Sequence, residues 1–135
     1  MVNTVLFACV HNAGRSQMAA AFFNAVADPS RAIAISAGTD PASRVHAEVV
    51  QAMREAGVDL SGTKPRRLTG VLATSATLLV TMGCGEACPV VPGLRREEWD
   101  LPDPRGEPIE RVRAIRDEIR GHVERLVMTS GWSRR

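Results

Sequence analysis

The chain predicts an α/β fold: one domain built on an open parallel sheet of about four strands flanked by helices. Three observations lead there. Short, almost wholly apolar runs alternate with segments of helical periodicity, the pattern of strand–helix–strand units. The runs are apolar at successive positions, as strands covered on both faces are. At 135 residues, with 44% hydrophobic and 24% charged side chains, the composition is that of one ordinary globular domain. We assign residues 1–129 to that domain and expect 130–135 to fray.

Residues 4–8 (TVLFA) form the first strand, and a loop of small and polar residues follows Cys9. Helical spacing begins near Ser16 and runs toward Ala27, where Asp28-Pro29 stops it. Residues 32–35 (AIAI) make a second strand, closed by Ser36-Ala37-Gly38. Asp40-Pro41-Ala42-Ser43 is read as opening a helix with Val45, Val49, Met53 and Ala56 on its apolar face and Gly57 at its end. Residues 77–82 (TLLVTM) form a third strand, followed by a Gly- and Pro-rich loop over 83–93. Ile109, Val112, Ile115, Ile119, Val123 and Leu126 make a stripe over about five turns of a last helix, with His122 and the charged residues placed in solvent.

Several function classes fall away. With 17 basic and 15 acidic residues the net charge is +2, too balanced for a nucleic-acid or membrane-surface partner. Three Phe, two Trp and no Tyr leave little with which to stack bases. No apolar run approaches the roughly 20 residues of a membrane span, and no signal peptide is evident, so a cytoplasmic monomer is expected. Three cysteines, an odd number, argue for reactive thiols or a metal over a disulfide framework.

The segment Cys9-Val10-His11-Asn12-Ala13-Gly14-Arg15-Ser16 places a cysteine and an arginine around a five-residue loop between strand and helix. Such a loop can curl until its backbone N–H groups converge at the helix N-terminus and cradle an anion. Arg15 adds a planar fork for a tetrahedral oxyanion, and the combined positive potential favours the thiolate of Cys9. Asn12 and Gly14 suit the tight curl, and Ser16 can either bond the sulfur or cap the helix. In open α/β sheets ligands bind beyond the carboxyl ends of strands, where Cys9 and Cys84 both fall. Cys84 and Cys88 stand three residues apart in a Gly-flanked loop. By themselves they read as redox thiols, as buried apolar residues, or as half of a zinc site. Zinc expects four ligands, and His11, His46 and His122 are scattered.

CVHNAGRSQMA, the SAG at Ser36 to Gly38, VTMGCGEACP and EWDLPDPRG together resemble the arsenate reductases built on the low-molecular-weight tyrosine phosphatase fold, and the resemblance extends to RVRAIRDEI at 111–119. It implies that Cys9 attacks arsenate in the loop of Val10, His11, Asn12, Ala13, Gly14 and Arg15. Asp103, ahead of Pro104, matches the family's general acid, with Asp100 the competing candidate. It further implies a relay in which Cys84 attacks Cys9, Cys88 attacks Cys84, and thioredoxin or a low-molecular-weight thiol reduces the last disulfide, with no tightly bound cofactor and no metal. Related reductases often have a longer interval between the second and third cysteines. Some members of the family hold potassium beneath the loop through acidic side chains. Here Ala20 and the basic stretch 64–67 stand at the matching positions, so no activation by potassium is expected. A phosphatase acting on phosphotyrosine or small phosphate esters would share Cys9, Arg15 and Asp103.

Overall fold

Four parallel strands lie in the order β2-β1-β3-β4 in a computed structural model that describes residues 2–83 and 91–134. They are β1 (Asn3–Cys9), β2 (Ala32–Gly38), β3 (Leu78–Thr81) and β4 (Arg95–Glu98). The helices are α1 (Arg15–Val26), α2 (Ala47–Glu55), α3 (Gly70–Thr74) and α4 (Ile109–Thr129). Among the described residues no helix is long and apolar enough to cross a membrane.

β1 is the middle of the core because both of its faces are apolar. Val5, Phe7 and Cys9 point to one side, where they pack with Met18 and Phe23 of α1, Met53 of α2, and Ile115 and Ile119 of α4. Leu6 and Ala8 point to the other side, against Leu79, Leu68 and Ala73 of α3. The period-2 alternation of a strand thus feeds two unequal layers. Phe7 joins them to the site: its ring meets Phe23 at 6.0 Å and Trp99 at 5.5 Å.

Three elements differ from the sequence expectation. Of the four strands expected, three leave an apolar run in the sequence; the fourth, Arg-Arg-Glu-Glu, leaves none because it is an edge strand with no buried face. Charged edges of this kind block further strand pairing. The helix expected from Asp40 begins at Ala47 instead. The His46 N–H, which a helix opened at Asp40 would bond to Ala42 O, goes to Ala13 O at 3.0 Å instead, so the stretch is tied to the Cys9 loop before the helix starts. The segment after α4, expected to fray, is held through residue 134. Trp132 meets Phe23 edge-to-face at 5.9 Å, its carbonyl accepts from Asp28 N at 2.7 Å, and Ser133 bridges to Ala27. His122, placed in solvent from the sequence, is half-buried with its ring 5.1 Å from that of Trp99.

Candidate active site

β1 runs out at Cys9 beside Gly38, its register partner at the end of β2. From there the chain curls through residues 10–14 into the first turn of α1. The curl is set by its carbonyls. Cys9 O accepts from Thr39 N at 3.2 Å, Val10 O from Asp40 N at 2.8 Å, and His11 O from Ala42 N at 2.9 Å. Ala13 O accepts from His46 N at 3.0 Å and Gly14 O from Met18 N at 3.0 Å. Asn12 O takes the side-chain amide of Gln17 at 3.1 Å. Six successive carbonyls are therefore turned outward. Because each trans peptide points its N–H opposite its C=O, the N–H groups turn the other way, inward. No carbonyl among the described residues takes an N–H of Val10 through Ser16. The inward face is a ring of backbone N–H groups at the N-terminus of α1, an arrangement with the polarity to receive an anion.

Two positions show how tightly this is built. Asn12 adopts φ +50, the left-handed region that Asn tolerates better than most residues. Gly38 sits so close under the loop that a Cβ there would lie 2.6 Å from Val10 O and 2.9 Å from Asn12 N. Gly14 lacks a Cβ for a similar reason: Pro104 Cγ occupies the space.

The sulfur of Cys9 is buried, 3% exposed, and lies 2.8 Å from Ser16 Oγ. Ser16 Oγ in turn accepts from Asn12 Nδ2 at 2.7 Å. Of the two roles open to Ser16, the structure takes the contact with sulfur; the N-cap of α1 is Gly14, and no side chain caps the helix. Asn12 Oδ1 accepts from Gln17 Nε2 at 3.1 Å and from Arg66 N at 3.0 Å. Gln17 and Arg66 carry no sequence signal as site residues beyond standing near the loop motif or in the basic stretch.

Arg15 begins α1 and reaches across the mouth of the loop. Its Nη1 donates to Leu101 O at 3.1 Å and its Nη2 lies 3.7 Å from Asp103 Oδ2. Asp103 Oδ1 also accepts from Arg105 N at 3.0 Å, closing a turn that lays Pro104 over Gly14. Arg105 continues to His11, with Nη1 3.3 Å from Nε2, while His11 Nδ1 faces Asp40 O at 3.0 Å. A guanidinium can only donate, so His11 accepts at Nε2 and carries its proton on Nδ1. Arg15 walls a cavity of about 420 Å³ together with Gly83, Glu98, Trp99, Asp100 and Leu101. Asp100 lines this cavity, but it is Asp103 that pairs with Arg15.

Cys84 and Cys88 lie outside the described residues. Gly83, the residue before Cys84, lies against Arg15: a Cβ on it would sit 2.6 Å from Nη1. No group of three His, Cys, Asp or Glu side chains among the described residues is placed to hold a metal. The oxygens beneath the loop also do not fit a potassium ion. Asn12 Oδ1 faces two N–H donors, Ser36 O accepts from Arg66 Nε at 3.0 Å, and Ala20 brings no carboxylate.

Comparisons with known proteins agree with this architecture. A putative arsenate reductase of Halobacterium salinarum is 39% identical over 121 residues, 87% of this chain and 85% of that protein. A glutaredoxin arsenate reductase of Synechocystis sp. is 32% identical over 126 residues, 91% of this chain and 95% of that protein. The structure of a thioredoxin-dependent arsenate reductase from Corynebacterium glutamicum superposes with a TM-score of 0.82 at 39% identity. That match takes in 95% of this chain, which spans 61% of the Corynebacterium chain. With the model for low molecular weight phosphotyrosine protein phosphatase matching residues 4–131, nearly everything from the first strand to the docked C-terminal segment, the chain belongs to that family.

Proposed function

We propose that the protein reduces arsenate to arsenite through Cys9, Cys84 and Cys88, with thioredoxin or a low-molecular-weight thiol as the external electron donor. The observation that carries the oxyanion chemistry is the buried Cys9 sulfur beside Ser16, at the base of a loop whose carbonyls all face outward. Such a cradle offers several N–H donors and the Arg15 fork to a tetrahedral dianion. Reduction is favoured over ester hydrolysis by the arsenate reductases among the relatives and by the chain order at β3, where Cys84 follows a residue in contact with Arg15.

The chemistry runs in three exchanges. Cys9 attacks arsenic and displaces one oxygen, which leaves as water with a proton from Asp103. Cys84 then attacks the Cys9 sulfur. The electron pair of the S–As bond passes to arsenic, so As(V) becomes As(III), arsenite departs, and a Cys9–Cys84 disulfide remains. Cys88 attacks Cys84, freeing Cys9, and the donor reduces Cys84–Cys88 by thiol exchange. Three residues between these two cysteines suffice for a disulfide when the Cα atoms come within about 7 Å. Such a relay belongs in a reducing compartment, and we place the protein in the cytoplasm as a monomer.

NADPH oxidation by thioredoxin reductase and thioredoxin is the direct assay. Oxidation that requires arsenate, followed by a thiol count showing Cys84 bonded to Cys88, is the expected result. Cys88→Ser should complete about one turnover and stall; sustained cycling would refute the third exchange. No oxidation in any thiol system, with hydrolysis of an aryl phosphate instead, would make the protein a phosphatase. Oxidation only with a low-molecular-weight thiol would keep the reaction and change the donor.

A further inference from the structure

Gln17 is nine-tenths buried and more, 3% exposed, yet it neither caps α1 nor faces the cradle. Its side-chain N–H₂ is surrounded by oxygens: Asn12 O and Asn12 Oδ1 at 3.1 Å each, and Lys64 O at 3.5 Å. We infer that Gln17 is a positioning residue for Cys9, acting through the Asn12 amide and the Ser16 hydroxyl. The inference rests on the reading of Cys9 as the nucleophile.

The reasoning is one of donors and acceptors. A side-chain amide has two ends, and a half-turn about its last bond exchanges them. Asn12 Oδ1 meets two donors, Gln17 Nε2 and Arg66 N, so the oxygen is held at that end. Nδ2 must then point to Ser16, to which it donates at 2.7 Å. A hydroxyl oxygen that accepts from Asn12 keeps its own hydrogen for its other neighbour, Cys9 Sγ at 2.8 Å. That bond favours the charged form of the sulfur. Turned the other way, Asn12 would set Nδ2 against two N–H donors and would accept the Ser16 hydrogen itself. Ser16 would then accept from the Cys9 thiol, which favours the neutral form. Gln17 thus selects, together with the Arg66 N–H, the orientation in which the sulfur receives a hydrogen bond, and all four side chains are buried.

The test uses full-length protein carrying Cys84→Ser and Cys88→Ser, so that Cys9 is the one remaining thiol. The rate of alkylation by iodoacetamide is followed against pH by mass spectrometry. Gln17→Met removes the donor at nearly constant volume; Gln17→Glu replaces it with an acceptor. Each is made with Ser16 present and with Ser16→Ala. With Ser16 present, Gln17→Met should slow alkylation at neutral pH by about tenfold. With Ser16→Ala it should change the rate little. For Gln17→Glu the added charge acts in both backgrounds, and the excess with Ser16 present is the quantity expected. Arg15, Asp103, the His11–Arg105 pair, Asp40, His46, Lys64 and Arg66, the titratable and charged residues packed around the loop, are common to every variant. A shift of the same size in both backgrounds, or none in either, would overturn the inference, whatever happens to the melting temperature. Wild-type Cys9 alkylating no faster than free cysteine at neutral pH would overturn its role as nucleophile as well.

Discussion

Arg15 meets three parts of the site at once: the carbonyl of Leu101, the carboxylate of Asp103 and the backbone at Gly83. A guanidinium has five N–H donors in one plane, so it can bond Leu101 and still present a fork to an oxyanion. An ammonium is a point charge on a flexible stem and cannot do both. Arg15→Lys should therefore lower kcat/KM by about a hundredfold or more while leaving the melting temperature nearly unchanged. Activity within a fewfold of wild type would mean that the loop alone binds the substrate. Gly38 shows the same dependence on fit, without charge. A methyl group 2.6 Å from Val10 O must push the loop off β2. Gly38→Ala should cut turnover by about a hundredfold through misplacement of the cradle. A full-rate Gly38→Ala enzyme would show that the loop does not depend on this close approach.

Among the elements, the contact between α2 and α4 has a definite acid limit. Glu55 accepts from Arg113 through both oxygens at 2.8 Å, and Arg116 joins at 3.5 Å. The hydrogen bond from Arg113 leads the causes that hold the Glu55 carboxyl below its ordinary value of 4.5. A carboxyl lowered in the folded state stabilises the fold above its unfolded value, and loses that contribution as pH falls through the folded one. Exposed as it is, the pair contributes modestly. Glu55→Gln should be less stable than wild type in urea at pH 7, and the two should converge as pH falls below about 4. A gap that persists at lower pH would mean that the residue acts through packing. At the β4 edge of the sheet the strand carries only charged residues, which leaves the edge in water and unattractive to another strand.

The whole molecule is closed by its end. Trp132 meets Phe23 of α1 edge-to-face, and Phe23 meets Phe7 of β1 in the same way, so the segment after α4 and the central strand are joined through one aromatic cluster. Trp132→Ala should cost about 2 kcal/mol, a fall in Tm of about 7 °C, because the ring is only partly buried. An unchanged Tm would return the segment to the frayed state expected from its polar composition. The loop that carries Cys9, Arg15 and Ser16 was legible along the chain because a strand, a short loop and a helix N-terminus are local and leave a local spacing, whereas Asp103 was singled out by the family resemblance alone. The buried stripe of α4 and the apolar run of β1 were legible because burial imposes a period. β4 was not, since an edge strand buries neither face and keeps no period. Nor were Gln17 and the N–H of Arg66, whose partner is Asn12: Arg66 meets it from 54 positions away. The start of α2 is hidden for the same reason, as the 39–46 stretch ahead of it bonds through its N–H groups to the distant Cys9 loop. Local spacing records what a residue buries against its own element. A hydrogen bond between distant segments leaves no period, and it comes into being when β1, β2 and the 39–46 stretch are brought together by the core.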